Sequence, residues 1–222
     1  MRIIPAQRVT RSYTQRLDAP PQMVFPLLCP VREADWIPGW DPLLVVSDSG
    51  LAERDCVFVT SALPANALWY VTRHEPERGF VEMLKLTPGV TACRLTIQLR
   101  AVGAGCEADV NYSHTSLGAE GDAFVAAFTE EHYIGFMRDW ERLLNAYLQR
   151  AQRTLHFDVF GRRVAIERTG SGWQAYDVGN EGKRRPADFA IPHFVQEAEL
   201  AQFLADLFHE SASSAHPEVK PL

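Results

Sequence analysis

The chain is poor in lysine and has no block of positive charge. Only Lys85, Lys183 and Lys220 are lysines among its 22 basic residues, and 28 acidic residues give a formal net charge of −6. Nucleic acids and anionic membranes recruit proteins through clustered cations. The composition therefore argues against both as main partners. The short run Lys183-Arg184-Arg185 is interpreted as a solvated loop.

Long apolar runs are also missing. A membrane-spanning helix needs about 20 mostly apolar residues, and stretches such as 42–46 are much shorter. The first 15 residues lack the apolar core of a secretory signal peptide. We therefore expect a cytoplasmic protein without membrane insertion.

Motifs for metals, cofactors and common catalytic centres are absent. The cysteines Cys29, Cys56, Cys93 and Cys106 form no C-x-x-C pair and match no zinc spacing, so we predict buried, reduced thiols. The sequence also lacks a G-x-S-x-G nucleophile elbow, a G-x-G-x-x-G fingerprint, a P-loop and an H-E-x-x-H helix. No cofactor and no metal is therefore expected.

Seven segments have the alternation and the turn boundaries of β-strands. Turn-forming residues such as Pro88-Gly89 separate them, and in the last two segments apolar residues occupy every second position. The predicted strands are residues 9–17, 43–47, 56–61, 67–74, 80–87, 92–102 and 106–115. Two short helices are predicted between the first strand and the second. The six later strands follow one another closely, which is typical of an antiparallel meander with one covered face.

A long helix is predicted for residues 122–152. No proline interrupts it, its acidic residues lie early, and Arg150 lies near its end, as the helix dipole favours. Apolar and aromatic residues recur at steps of three and four along one side. This stripe comprises Phe124, Phe128, His132, Phe136, Trp140, Leu143 and Tyr147. The sheet offers the only large apolar face that the stripe can cover.

The order of these elements resembles the helix-grip fold of the START/SRPBCC superfamily, which includes pollen-allergen-like, polyketide cyclase-like and lipid-transfer proteins. The segment CPVREADWIPGWD at 29–41, the Thr87-Pro88-Gly89 turn and the Trp140-Glu141 pair are similar to those of an uncharacterised bacterial subgroup. The resemblance covers residues 9–150. It implies an α+β domain in which a bent seven-stranded antiparallel sheet surrounds a long C-terminal helix, with a cavity for apolar ligands between them. The superfamily hosts transporters, enzymes and sensors, so the resemblance does not fix an activity.

A second, smaller domain is predicted after the long helix. Its elements are strands at 157–160, 164–168 and 173–178 and an amphipathic helix at 197–210. This β-β-β-α order resembles a small family of uncharacterised bacterial domains. The predicted organisation is a helix-grip domain at 1–152, the small domain at 153–210 and a flexible tail at 211–222.

Two histidines are candidates for acid–base chemistry in the cavity. His132 lies on the helical stripe between Phe128 and Phe136, where it can exchange a proton with a ligand oxygen. The alternative is a histidine satisfied in the core or at its rim. His114 shares strand parity with Tyr112 and lies near the end of its strand. It either meets the long helix near the cavity mouth or is an edge histidine, and we favour the edge position.

A third candidate is the carboxylate of Glu82. It shares strand parity with Phe80 and Leu84, and an inward orientation would bury it as a ligand anchor or general base. The alternative places the opposite face inward, with Val81 and Met83 in the core and Glu82 in water. The pattern of this strand does not decide between the two faces.

The residues predicted to line the cavity are aromatic or carry a polar tip. Tyr112 combines a packing ring with a hydroxyl that can reach a ligand. Trp36 and Trp40 flank a Pro-Gly turn that would close one end of the cavity, and plain packing is favoured for Trp40. The predicted ligand-binding set is Trp36, Trp69, Tyr112, Phe128, His132 and Phe136.

Three functions fit these features. We favour a non-catalytic protein that binds a small hydrophobic or amphipathic ligand. The second is an enzyme of the cyclase/dehydratase or hydrolase type that uses His132, Glu82 or His114 as acid and base, which convergence of two of these groups would favour. The third is an interaction protein whose cavity is filled by its own side chains.

The small domain is expected to need cover from another surface. A domain of about 60 residues draws only about 3–5 kcal/mol from its core, and Trp173 and Tyr176 have opposite strand parity. We predict that residues 153–210 pack on the helix-grip domain or on a second copy of the chain. Thermal unfolding of 1–152 and 153–222, expressed separately, checks this. A monomeric 153–222 fragment that unfolds at the temperature of the full chain would contradict it.

Overall fold

The computed structural model describes residues 3, 5–169, 172–179 and 182–222. The chain forms two compact units, Met1–Leu148 and Gln149–Leu222, each with its own hydrophobic core. All four cysteines are buried free thiols, as predicted. Within the described residues, no helix is long and apolar enough to cross a membrane.

The first unit is built on a seven-stranded antiparallel sheet. Its strands are β1 (Arg8–Leu17), β2 (Leu44–Val46), β3 (Val57–Thr60), β4 (Ala67–Glu75), β5 (Phe80–Thr87), β6 (Thr91–Val102) and β7 (Gly105–Ser116). Their spatial order is β1-β7-β6-β5-β4-β3-β2, so β2 to β7 form a meander and β1 pairs with β7. The predicted strand number and antiparallel arrangement are confirmed, with every boundary within one residue of its expected position.

Period-two alternation decides which face of the sheet is covered. In β6 the side chains of Leu95, Ile97 and Leu99 are buried, whereas Arg94, which directly precedes Leu95, is exposed. The same alternation buries every second residue of β7 from Cys106 to His114. Since an antiparallel sheet with one solvated face alternates in this way, the buried side chains all point to the side of the helices.

The helical segment is interrupted, and the prediction of one helix over 122–152 is wrong in this respect. The structure contains α2 (Ala119–Ala127) and α3 (Glu130–Gln152), following the short α1 (Pro21–Val24) earlier in the chain. Phe128 leaves the helical conformation at ψ 61° and buries its ring. The hydroxyl of Thr129 then accepts the main-chain N–H of His132 at 3.2 Å, and so caps the new helix.

This interruption resets which side of α3 is buried. The fully buried line consists of Tyr133, Met137, Leu144 and Leu148. Of the three rings predicted to face the sheet, Phe128 is buried, Trp140 is partly buried and Phe136 is 38% exposed. The predicted stripe therefore lies along one flank of the buried line, and not at its centre.

Polar contacts from β1 and β7 hold α3 against the sheet. The Tyr133 hydroxyl donates to the Val110 carbonyl oxygen at 2.7 Å. The Gln15 side-chain amide donates to the Met137 carbonyl oxygen at 3.1 Å, and both groups are buried. Each bond satisfies a buried polar group whose isolation would cost about 1–3 kcal/mol. These bonds therefore restrict the axial position and the rotation of the helix.

The second unit contains a five-stranded sheet and one amphipathic helix. Its strands are β8 (Thr154–Val159), β9 (Arg162–Thr169), β10 (Gly172–Val178), β11 (Arg184–Pro186) and β12 (Val219–Pro221), in the order β11-β10-β9-β8-β12. The helix α4 (Leu200–Phe208) buries Leu200 and Leu204 against this sheet's core. Three strands and the helix agree with the predicted β-β-β-α order, and two strands extend it.

Both additional strands correct an expectation. The basic run is not a solvated loop, because Arg184 lies in β11 and pairs with Glu167 at 2.8 Å. The tail at 211–222 is not flexible throughout, because Val219–Pro221 pairs with β8 and the Leu222 N–H donates to the His156 carbonyl oxygen at 2.9 Å. An unpaired strand edge offers main-chain donors and acceptors to any extended segment within reach.

Two helical glycines should respond oppositely to alanine. A Cβ at Gly121 in α2 would overlap the Val90 carbonyl oxygen, whereas one at Gly135 in α3 would meet nothing within 4 Å. Alanine favours a helix by about 1 kcal/mol over glycine. We expect Gly135→Ala to raise the free energy of unfolding by about 0.5–1 kcal/mol and Gly121→Ala to lower it. Denaturant unfolding of both variants measures this, and equal effects would contradict the close helix–turn approach.

Candidate functional site

A cavity of about 400 Å³ lies between the sheet and the helices of the first unit. Most of its walls are apolar and many are aromatic. The lining includes Leu28, Trp40, Phe58, Trp69, Met83, Leu95, Ile97, Tyr112, Phe124, Phe128, Phe136 and Trp140. Glu33, Lys85, His114 and His132 add polar groups to this lining. Such a composition is typical of small-molecule sites, where a few polar groups orient an apolar ligand.

One cross-strand row of the sheet contributes four residues, Phe58, Trp69, Lys85 and His114, to the floor of the cavity. Phe58 in β3 pairs with Trp69 in β4, Trp69 pairs with Lys85 in β5, Lys85 with Cys93 in β6, and Cys93 with His114 in β7. Directly opposite residues in antiparallel strands hold their Cβ atoms about 5 Å apart. The register therefore brings together residues that lie far apart in the sequence.

Lys85 places a cation inside this apolar surface. Its Nζ lies 4.9 Å from the centroid of the Trp69 ring, and that ring stacks on Phe58 with centroids 5.2 Å apart. Burial lowers the pKa of Lys85, because the charged form loses hydration. Among the residues that the structure describes, none forms an ion pair with this ammonium. The neighbouring Cys93 thiol, whose pKa burial raises to about 12, supplies no counter-charge.

His114 lies two strands away from Lys85 in the same row and is 3% exposed. Its ring packs at 4.8 Å from Phe124 and 4.7 Å from Phe128. Burial lowers the pKa of His114 to about 4, with a smaller contribution from the charge of Lys85. The ring is therefore neutral at neutral pH. Its Nδ1 atom is buried and has no hydrogen-bond partner among the described residues.

Glu33 brings a second buried ionisable group to the cavity. It lies in the short helical turn Arg32–Asp35 and is 8% exposed. Burial alone raises the pKa of its carboxyl group to about 8. The group is therefore mostly protonated at neutral pH and acts as a neutral hydrogen-bond donor. Tyr112, which lines the same cavity, keeps its phenol protonated because burial raises its pKa well above the usual value.

The structure places five of the six predicted ligand-binding residues on the cavity. Trp69, Tyr112 and Phe128 are buried in its wall, whereas His132 and Phe136 are exposed where the cavity meets the solvent. That these residues bind a ligand remains a prediction.

Trp36 is placed elsewhere, and its position corrects the prediction. Its ring packs edge-on against Trp140 at 5.3 Å, and its indole N–H donates to the Leu27 carbonyl oxygen at 3.2 Å. The ring is 4% exposed and fills the core behind the cavity wall. Trp40, for which plain packing was favoured, lines the cavity. Its indole N–H donates to the Pro30 carbonyl oxygen at 2.7 Å, which fixes the ring in that position.

Glu82 is also placed outside the cavity. Val81 and Met83 are buried, so the alternative face of β5 points inward. The carboxylate of Glu82 accepts a hydrogen bond from the Thr72 hydroxyl at 2.8 Å on the other face. Of the three acid–base candidates, His114 and His132 reach the cavity, and the ring of Phe128 lies near both. His114 is a buried wall residue and not the edge histidine that was favoured.

Sequence reasoning missed Lys85 and Glu33. For Lys85 a signal existed: once Val81 and Met83 point inward, the same parity places Lys85 inward two residues later. For Glu33 there was no comparable signal, because a short helical turn has no fixed period from which burial can be read. Within the described residues, no group of His, Cys, Asp and Glu is arranged to hold a metal ion.

A second concavity of about 490 Å³ lies at the end of β1 and the β6–β7 turn. Its charged lining residues include Arg16 and Glu107, whose side chains are 3.9 Å apart, with Arg16 85% exposed. Exposed pairs of this kind contribute little energy. Of these two concavities the first combines an apolar wall with buried ionisable groups, and it is the candidate site.

The raised pKa of Glu33 makes a stability prediction. Because the folded pKa of about 8 exceeds the reference value of 4.5, the folded state retains a proton that the unfolded state loses between these pH values. The free energy of unfolding of the wild type should therefore decrease as pH rises from 4.5 to 8, because the buried carboxyl group resists ionisation. We expect Glu33→Gln to remove this loss, which amounts to a few kcal/mol at about 1.4 kcal/mol per pKa unit.

Denaturant unfolding across this pH window measures the difference between Glu33→Gln and the wild type. Asp35→Asn is the matched control, because Asp35 lies on the same turn with its carboxylate exposed and paired with Arg32 at 2.7 Å. The control should follow the wild-type pH dependence. Parallel profiles for Glu33→Gln and wild type would contradict the burial of an ionisable group at this position.

Comparison with known families assigns only the second unit. Residues 154–222 match a family described as a domain of unknown function, DUF7661. This match includes the C-terminal segment that forms β12. A search of curated protein sequences finds no significant match to the chain.

Comparison with solved structures concerns the first unit. A norcoclaurine synthase point mutant from Thalictrum flavum, in complex with a transition-state analogue, is similar at 11% identity and a TM-score of 0.52, covering 68% of this chain and 99% of that chain. The same enzyme in complex with dopamine and hydroxybenzaldehyde matches at 10% identity and a TM-score of 0.50, covering 65% and 88%. A protein of unknown function from Staphylococcus aureus matches at 10% identity and a TM-score of 0.50, covering 66% and 98%. At these identities the likeness establishes the fold alone, and that fold is the helix grip.

Proposed function

We propose that the first unit binds a small molecule with an apolar, ring-containing body and a carbonyl or anionic oxygen. The observation that carries this proposal is Lys85, a cation on the floor of an aromatic cavity that no described carboxylate neutralises. Binding, and not catalysis, is the activity proposed here.

The size and the walls of the cavity support a ligand of this class. A volume of about 400 Å³ falls within the range of about 300–1,000 Å³ that is usual for small-molecule sites. The rings of Tyr112 and Phe136 meet at 6.4 Å and those of Phe136 and Trp140 at 5.4 Å, both in edge-to-face geometry. Aromatic rings arranged in this way offer both faces and edges to a flat guest.

The charges of the cavity support an oxygen acceptor on the ligand. At neutral pH Glu33 and His114 are neutral, since burial raises the pKa of the first to about 8 and lowers that of the second to about 4. Asp41 also lines the cavity, but among the described residues no carboxylate forms an ion pair with Lys85, so its ammonium form lacks a direct counter-charge. A carbonyl or carboxylate oxygen placed near it is favoured more strongly there than in water.

The two alternatives fit less well. The interaction-protein hypothesis requires a cavity that the protein's own side chains fill. The cavity instead contains about 400 Å³ of free space. The acid–base enzyme hypothesis loses Glu82, which lies on the outer face. Its other two candidates, His114 and His132, share the cavity lining, and each packs against Phe128, at 4.7 and 6.1 Å, with no hydrogen bond between them among the described residues. One relative in fold holds dopamine and hydroxybenzaldehyde, two small aromatic compounds. That precedent supports a ring-containing ligand for this cavity. The polar group of the ligand is inferred from the residues of the cavity itself.

Anilinonaphthalene sulfonate tests the proposal, because it combines fused rings with an anionic group. We expect saturable binding with increased probe fluorescence, and a loss of about tenfold or more in affinity in Lys85→Met, equivalent to at least about 1.4 kcal/mol. The control is Lys220→Met, whose lysine is exposed in the second unit and pairs with Glu218 at 3.0 Å. It should bind as the wild type does.

Two outcomes would contradict the proposal. One is the absence of saturable binding to the folded wild-type protein. The other is equal affinity in Lys85→Met and wild type, which would place the probe away from the cavity floor. Thermal unfolding of each variant verifies that changed binding does not reflect a loosened core.

A further inference from the structure

We propose that Lys85 is the nucleophile of a reversible covalent site, which forms an imine with aldehydes or ketones that carry an apolar ring. This inference rests on the proposed function, because the carbonyl compound must first enter the cavity. The inference adds a covalent step, and it narrows the polar group of the ligand to an aldehyde or ketone carbonyl group.

The position of Lys85 holds its amine in place. The residue lies within β5, with β4 on one side and β6 on the other, so its Cα cannot move independently of the sheet. Its side chain extends over Trp69, whose indole N–H donates to the Thr60 hydroxyl at 3.0 Å. The stack of Phe58, Trp69 and Lys85 therefore directs Nζ along the aromatic floor of the cavity.

The surroundings favour the uncharged amine that this chemistry needs. An ammonium group has no lone pair, so only neutral Nζ can attack a carbonyl carbon. Lysines are activated as nucleophiles when they are desolvated or lie next to another cation. Around Lys85 the structure places aromatic rings and the Cys93 thiol, and none of the described carboxylates pairs with it. Burial lowers the pKa of Lys85 in agreement with this geometry.

The reaction balances without a further reagent. The lone pair of Nζ forms a bond to the carbonyl carbon, and the carbonyl π electrons move to the oxygen, which takes up a proton. Nζ then loses a proton, which gives a neutral carbinolamine. A second proton converts its hydroxyl group to water, which leaves while the C=N double bond forms, and the resulting iminium loses its remaining N–H proton. One amine and one carbonyl compound thus yield one imine and one water. Glu33, neutral at neutral pH and part of the same lining, is a group that can supply the proton.

The scarcity of lysine makes the inference directly testable. The chain contains only two other lysines, Lys183 and Lys220, and both lie in the second unit. They serve as internal references in every experiment on the full-length protein. A modified Lys85 is therefore identified by peptide mapping against two lysines of the same molecule.

The experiment treats the full chain with benzaldehyde and sodium cyanoborohydride, which reduces an imine to a stable benzylamine. Intact-mass measurement counts the benzyl groups, and peptide mapping locates them. Among the lysines we expect Lys85 to be modified first, about tenfold faster than Lys220 near neutral pH for each unit by which its pKa is lower. The rate at Lys85 should also reach its plateau at lower pH. Excess anilinonaphthalene sulfonate should protect Lys85 and leave Lys220 unaffected.

A conservative variant separates the covalent step from binding. Lys85→Arg keeps the positive charge but has no nucleophilic amine, so it should still bind anilinonaphthalene sulfonate and lose the rapid modification. If the wild-type protein binds the probe but modifies Lys85 no faster than Lys220, the imine inference is wrong and the proposed function stands. If the probe does not bind and Lys85 is not selected, both are wrong. The wild-type peptide map decides the matter even when the variant fails to fold.

Discussion

The register of the antiparallel sheet is the constraint on which the rest of the first unit depends. Because side chains alternate with a period of exactly two residues, one fixed pairing scheme determines which residues share the inner face. The row from Phe58 through Trp69, Lys85 and Cys93 to His114 exists only in this scheme. A slip of one residue in β5 would turn Lys85 to the solvent and place Leu84 or Leu86 between Trp69 and Cys93, which would remove the cation from this row.

The cavity combines groups that a stable core would avoid. Burial raises the pKa of Glu33 and lowers the pKa values of Lys85 and His114, and so favours the neutral form of each group. Each shift reflects the cost of keeping the charged form away from water. Buried hydrogen bonds from the side chains of Tyr133 and Gln15 to main-chain carbonyl oxygens stabilise the structure around the cavity. Destabilising polar groups in a concave, apolar site are typical of functional centres.

The fold was predictable from the sequence where a strict period governs it. Alternation in β6 and β7 and the turns between strands predicted all seven strands and the covered face. The site was less predictable, because β5 carries apolar residues on both faces and its alternation is ambiguous. The helix break at Phe128 contains no proline or glycine, and its signal in the sequence was the capping residue Thr129 followed by Glu130 and Glu131, which the periodicity of the stripe outweighed. Trp36 and Trp40 exchanged their expected places because a three-dimensional turn, and not spacing, orients them.

The pairing of β1 with β7 affects how the protein is made. Arg8 lies opposite Thr115 and Leu17 opposite Cys106, so the strand of this unit that leaves the ribosome before the others pairs with the strand that leaves it last. Synthesis proceeds at about 5–20 residues per second, and β1 stays unpaired for the seconds that this interval requires. Non-local pairing of this kind also slows folding. The hydrogen bond from Gln15 to the Met137 carbonyl oxygen forms later still, because α3 must first emerge from the ribosome. The helix therefore packs on the sheet only near the end of translation of this unit.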